Sequence, residues 1–287
     1  MSADDITPSS ATLRSSDGSR LCRGRQGAAG ERQISYRISL INSLLLLLIG
    51  LCLDAQALAA QTTIAVAANF TNATRDIVRL FEKTSGHRVK VSFGSTGKLY
   101  AQIENGAPFD AFLAADAARP TKAENASLAV RGHRFTYAEG KLALWSATPG
   151  RFDNGGSYIK SGGFKRLAIA NPKTAPYGLA ARQVMERLGI WKSLQPKVVR
   201  GDSIAQTFQF VVTGNAQVGF VALSQVKAWS GEAGSFWEVP NGLYAPIDQQ
   251  AVLLTNGKEN VAAKAFLEFL KGPEARAVIT RYGYGIE

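Results

Sequence analysis

Along most of the chain, short apolar runs alternate with stretches whose apolar positions recur every three to four residues, the periods of strands and helices. Residues 62–68 (TTIAVAA) read as a buried strand. In the next stretch Asn72 can cap a helix, Ala73, Ile77, Leu80, Phe81 and Thr84 share one face, and Gly86 stops it. Residues 88–93 (RVKVSF) alternate as a second strand. A Gly-Ser-Thr-Gly turn at 94–97 leads into a helix over 99–104, and 111–115 form a third strand. This β-α-β-α-β order predicts a parallel sheet. Strands at 141–146 and 167–170, a helix at 180–188, a strand at 198–199, a helix at 204–212 and a strand at 218–222 repeat it, with 149–163 read as a loop. Strands at 236–239 and 251–255 precede two closing helices, 261–270 and 274–282. The chain therefore reads as an α/β protein of two lobes: residues 61–140 and 247–287 in lobe 1, residues 141–246 in lobe 2. Two crossings between lobes leave a cleft, with hinges expected near Glu139–Lys141 and Tyr244–Ile247. Ligands of open α/β sheets bind beyond the carboxyl ends of strands, where helices begin.

The first 60 residues follow another pattern. Residues 1–32 are rich in Ser, Gly and Arg, lack apolar periodicity and read as a disordered extension. Arg32 and Arg37 then precede an apolar run over 38–53, and Ala57-Leu58-Ala59 supplies a small-x-small cleavage pattern, the order of a secretory signal peptide. The run is shorter than the roughly 20 residues a spanning helix needs, and Asp54 ends it. Bulky Leu51 before Cys52 does not suit a lipid anchor.

Composition narrows the chemistry. The two cysteines, Cys22 and Cys52, leave with the signal segment, so the exported chain has neither disulfide nor thiol nucleophile. Cleavage after Ala59 or Ala60 also removes six arginines and five acidic residues, which lowers the formal charge from +11 only to +10. That charge invites a nucleic-acid reading, but the Lys and Arg residues are scattered and form no stripe interleaved with aromatics. Residues 94–98 (GSTGK) resemble part of a P-loop, yet Ser92 stands where its first Gly belongs and Leu99 replaces the Ser or Thr after the Lys. His87 and His133 both sit beside Arg, and no nucleophile–base pair, Gly-x-Ser-x-Gly elbow or cation-ligand spacing is evident. The chain reads as a binding module, not an enzyme, with no cofactor.

The informative positions are strand-to-helix turns: Asn69 with Thr71 and Asn72, Ser95 with Thr96, Pro176-Tyr177-Gly178, and Asp202-Ser203-Ile204. Each puts backbone N–H groups and short polar side chains at a helix start, where an anion is favoured. Plain N-capping uses the same residue types, so each turn taken alone admits both readings.

Several segments carry a resemblance that spans residues 63–282. They are 67–73 (AANFTNA), 93–97 (FGSTG), 105–110 (NGAPFD), 171–178 (NPKTAPYG), 219–222 (GFVA), and 270–273 (LKGP) with 281–283 (RYG). In order, they resemble the periplasmic molybdate-binding proteins of molybdate ABC importers. The resemblance implies a type II periplasmic-binding fold closing on a tetrahedral dianion held by hydroxyls and backbone N–H groups. It places Asn69 where many members have Ser, Thr96 at the second hydroxyl position with Ser95 beside it, and Tyr177 and Ile204 where backbone amides donate. Ala222 stands where many members have a Tyr that reaches the ligand, so Tyr177 is expected to supply a replacement through its hydroxyl, its N–H or both. It further implies molybdate, and tungstate with it, as ligand, molybdenum entering as an oxyanion with no direct cation ligands. An inner-membrane permease with a cytoplasmic ATPase is the implied partner, and the chain is expected to act in the periplasm as a monomer without nucleic acid. A carrier of another oxyanion such as sulfate, or an exported sensor or enzyme domain on this fold, stays open at this point.

Overall fold

The structure is a computed structural model that describes residues 59–286; the extension, the signal segment and both cysteines lie outside the described residues. The elements are β1 (Gln61–Ala67), a 3-10 turn (Ala68–Phe70), α1 (Thr71–Ser85), β2 (Arg88–Gly94), α2 (Thr96–Glu104), β3 (Ala111–Leu113), α3 (Ala118–Asn125), β4 (Phe135–Gly140), β5 (Leu142–Ser146), α4 (Gly155–Ser161) and β6 (Leu167–Ala170). There follow α5 (Pro176–Arg187), α6 (Trp191–Leu194), β7 (Val198–Gly201), α7 (Ile204–Val212), β8 (Val218–Ala222), α8 (Leu223–Lys227), β9 (Ser235–Glu238), β10 (Ile247–Leu253), α9 (Val261–Lys271) and α10 (Pro273–Arg281).

The strands form two five-stranded sheets, ordered β2-β1-β3-β10-β4 and β7-β6-β8-β5-β9. In the first, β1 runs parallel to β2 and β3, while β10 returns antiparallel between β3 and β4. In the second, β6 runs parallel to β7 and β8, and β5 lies antiparallel between β8 and β9. Helices cover both faces of each sheet, which explains why the central strands read as continuous apolar runs. Strand alternation sends Ile64 and Val66 into a core with Phe70, Ile77, Phe81 and Phe266, and sends Ala65 to the opposite face with Leu99, Phe112 and Val252. In the second sheet Leu142, Leu144, Leu167 and Ile169 share one core, and Ala143, Trp145 and Ala168 the other. The chain passes between the sheets twice: through Lys141, between β4 and β5, and through residues 239–246, between β9 and β10.

Local differences from the sequence reading have physical causes. The first helix grows directly out of the 3-10 turn and starts at Thr71, so Asn72 lies inside its first turn and caps nothing. Its buried stripe is Ala73, Thr74, Ile77 and Phe81; Leu80 falls at the edge and is 37% exposed. Strand β4 alternates only at Phe135 and Tyr137, and its own Glu139 and Gly140 break the apolar pattern. Helix α3 buries only Pro120 and Ala123, so its periodicity is faint. Helix α4 lies within the stretch read as a loop: Asn154 Oδ1 accepts from the Ser157 N–H and starts it despite the glycines.

Candidate functional site

The carboxyl ends of β1, β2 and β3 face the amino ends of α5 and α7 across the junction of the two lobes, with the start of α2 beside them. They line a narrow cavity walled by Ala67, Ala68, Asn69, Gly94, Ser95, Thr96, Ala115, Ala175, Pro176, Tyr177 and Ile204. Asn69, Thr96, Tyr177 and Ile204 thus line one space, although they come from four separate turns. No Lys, Arg, His, Asp or Glu is among the residues that wall it.

The helix starts differ in how their N–H groups are met. The first N–H groups of any helix have no acceptor within the helix. At α7 the sequence chooses ordinary capping: Ser203 Oγ accepts from the Gln206 N–H at 3.3 Å. At α2 the equivalent residue is Ser95, and it makes no side-chain cap bond. Its Oγ is buried and has no hydrogen-bond partner in the protein. Buried polar atoms are nearly always partnered, so the lone Ser95 hydroxyl at the rim makes this cavity a candidate ligand site. At α5 Ala175 holds the cap position and offers no side-chain acceptor, so the Tyr177 N–H at the second helical position has neither cap nor intrahelical partner. Ile204 is the first residue of α7, and its N–H is likewise an end group of the helix.

Thr96 is tied in place. Its Oγ1 accepts from the Ala115 N–H at 3.1 Å, which leaves its own proton to donate. Tyr177 is 1% exposed, and its hydroxyl oxygen accepts from Gln249 Nε2 at 3.2 Å. Burial pushes this phenol well above its usual range, with the nearby phenols of Tyr284, Tyr137 and Tyr244 adding to the shift. It therefore stays protonated at any working pH.

Asn69 is arranged differently from the expectation of a side-chain donor. Its Nδ2 donates to Gln249 Oε1 at 2.9 Å and to the Tyr284 hydroxyl at 3.1 Å, so both amide hydrogens are committed within the protein. Its carbonyl accepts from Tyr284 at 2.8 Å and from Ser224 Oγ at 3.0 Å. Gln249, Tyr284, Tyr137 and Ser224 form a buried polar network behind the cavity that the sequence reading did not single out. The available signal was the Asp248-Gln249-Gln250 run, which stands directly before the apolar residues 251–254. Ala222 is fully buried in the second lobe's core and is not among the cavity's lining residues.

Direct contacts join the lobes around this space. The Gly97 N–H donates to the Thr174 carbonyl at 2.8 Å, and Arg119 Nη2 donates to the Lys173 carbonyl at 3.1 Å. Lys98 and Asp202 form an ion pair at 2.8 Å, both partly exposed. Gly97 has to be glycine for this approach, because a Cβ there would stand 2.9 Å from Thr174 Cα. A wider groove between α1, α7 and α8 also borders Asn69, with Asn72, Phe208, Gln209 and Trp229, but none of its lining residues carries an unpartnered buried side-chain atom.

Two α/β lobes, two crossings and a cavity at strand ends define a two-lobed α/β ligand-binding protein. The chain belongs to the bacterial extracellular solute-binding protein family, whose model matches residues 62–285. It is 56% identical over 230 residues to molybdate-binding protein ModA of Azotobacter vinelandii, covering 80% of this chain and 91% of that protein. It is 52% identical over 243 residues to molybdate-binding protein ModA of Rhodobacter capsulatus, covering 85% and 94%. A solved Azotobacter vinelandii periplasmic molybdate-binding protein matches with a TM-score of 0.76 at 42% identity, covering 79% of this chain and 99% of that one. The sulfate-binding protein SubI of Mycobacterium tuberculosis H37Rv matches at a TM-score of 0.69 but 12% identity, which speaks for the fold alone. The two-lobed α/β expectation and the family resemblance both hold.

Proposed function

We propose that this chain captures molybdate in the periplasm and delivers it to an ABC importer. The carrying observation is Ser95: its buried, unpartnered Oγ stands at a helix start beside a cavity lined by no charged residue. Such a site suits a dianion held by neutral donors, since a hydrogen bond to an ionised group contributes roughly 1.5–3 kcal/mol. The relatives named above, both molybdate-binding proteins matched over nearly their full length, support the same ligand.

In this reading the Ser95 and Thr96 hydroxyls donate from lobe 1, and the Tyr177 and Ile204 N–H groups donate from lobe 2. The Tyr177 hydroxyl supplies the donor that Ala222 lacks. Asn69 contributes its backbone N–H, its side chain being engaged by the network behind. Tungstate binds the same donors, because it is a tetrahedral dianion of similar size. The lobes hinge at Lys141 and at 239–246, and the closed form docks as a monomer on a membrane permease driven by a cytoplasmic ATPase. No salt bridge to the ligand itself has to break on release.

Calorimetric titration of the exported protein with molybdate, tungstate, sulfate and phosphate tests this reading. Tight binding of the first two and weak or absent binding of the others is expected. Absence of heat with both molybdate and tungstate would overturn it.

A further inference from the structure

The polar network behind the cavity runs in one direction, from Asn69 through Gln249 to Tyr177. The Asn69 backbone carbonyl lies 2.8 Å from the Tyr284 hydroxyl and 3.0 Å from Ser224 Oγ. With its proton turned to that carbonyl or to Ser224 Oγ, 2.9 Å away, the Tyr284 oxygen accepts from Asn69 Nδ2. The Asn69 amide group is thereby oriented with its NH2 toward Gln249, which must answer with Oε1, at 2.9 Å. The Tyr137 hydroxyl lies 3.0 Å from the same Oε1. A flipped Gln249 amide would set two NH2 groups against each other. The Gln249 NH2 therefore faces Tyr177, whose oxygen accepts at 3.2 Å. The single Tyr177 proton is left for an acceptor elsewhere.

The backbone around Gln249 is shaped for this. Gln249 is fully buried, a costly place for an amide unless it is matched. The register of β10 against β4 shifts between Gln249 and Gln250, and a bulge of this kind re-aims a side chain. Across from it, Gly140 leaves room: a Cβ there would lie 2.6 Å from Gln249 Nε2 and would collide with the Tyr177 hydroxyl.

We propose that Gln249 is a positioning residue for oxyanion capture: by donating from β10 to the Tyr177 hydroxyl, it turns the Tyr177 proton toward the cavity and makes Tyr177 a one-way donor to the ligand. This rests on the oxyanion reading of the cavity. The bond also crosses from lobe 1 to lobe 2, so the donor is aligned where the lobes meet. A phenol free to rotate would spend part of its time presenting a lone pair to a dianion.

The test is a double-mutant cycle read by molybdate titration of the exported protein: wild type, Gln249→Met, Tyr177→Phe and both together, each checked by thermal melting. Gln249→Met is expected to weaken binding about ten-fold in the wild-type background and by less than about two-fold when Tyr177 is already Phe. Equal losses in both backgrounds would show that Gln249 acts through something other than the Tyr177 hydroxyl and would overturn the proposal. If Gln249→Met does not fold, 3-fluorotyrosine at 177 in the otherwise unchanged chain decides. A more acidic phenol should bind molybdate a few-fold tighter if it donates, and unchanged or weaker binding overturns the proposal. A wild-type protein that binds no molybdate overturns the oxyanion reading itself, which these variants would not.

Discussion

The cavity has two unlike walls. On one side Ser95 and Thr96 hold hydroxyl protons with no acceptor assigned in the protein. On the other, Asn69 is backed by Gln249, Tyr284 and Ser224, which lie behind it and match one another's donors. Both walls are polar and buried, so burial and composition do not tell them apart. The difference lies in what completes them. A matched wall is complete on folding and serves to hold geometry, whereas an unmatched wall is completed only by a ligand. The two serines at helix starts make the same point at smaller scale: Ser203 caps α7, while Ser95 leaves α2 uncapped and its own hydroxyl unpartnered.

Alkali attacks the matched wall and should give the largest effect. Burial raises the pKa of Tyr137, Tyr177 and Tyr284 above the ordinary phenol value. The unfolded chain releases these protons near pH 10 and the folded chain keeps them. Their contribution is therefore fully present below about pH 10 and is lost as pH rises above it, at about 1.4 kcal/mol per pH unit for each phenol. Melting curves from pH 8 to pH 11.5 check this; a flat profile would mean that the network is not sealed from water.

Next comes the junction that brings the walls together. In Gly97→Val the new side chain meets Thr174, which costs closure about 1–3 kcal/mol and weakens molybdate roughly ten- to a hundred-fold. The melting temperature without ligand should change little, because the lobes can stand slightly apart. A variant that binds as well as wild type would show that tight apposition of Gly97 on Thr174 is not needed. The smallest effect belongs to the rim. The Lys98–Asp202 pair is solvated on both sides, so Lys98→Ala should cost at most about 1 kcal/mol of binding and less at high salt.

Much of the fold was legible. Helix α7 and strand β8 have the same limits in sequence and structure, because Ser203 caps the helix and Val218–Ala222 is an unbroken apolar run. Strand β4 and helices α3 and α4 were not, since each buries few side chains and so writes little periodicity. The strand-to-helix turns were legible as candidates, and the structure brings Asn69, Thr96, Tyr177 and Ile204 to one cavity. What the sequence could not show is which donors are spent. Asn69 looks like a ligand-facing amide until Gln249, 180 positions away, takes one of its hydrogens. Ser95 looks like any cap until its hydroxyl is found unpartnered. Both facts depend on contacts between distant segments, which local pattern does not encode.

The most direct test pairs the two serines. Ser95→Ala and Ser203→Ala are each titrated with molybdate and melted beside the wild type. Ser95→Ala should bind about ten- to a hundred-fold more weakly at an unchanged melting temperature, because its hydroxyl serves the ligand and not the fold. Ser203→Ala should bind normally but lose about 0.5–2 kcal/mol of stability as a broken cap. Wild-type affinity in Ser95→Ala would contradict the account.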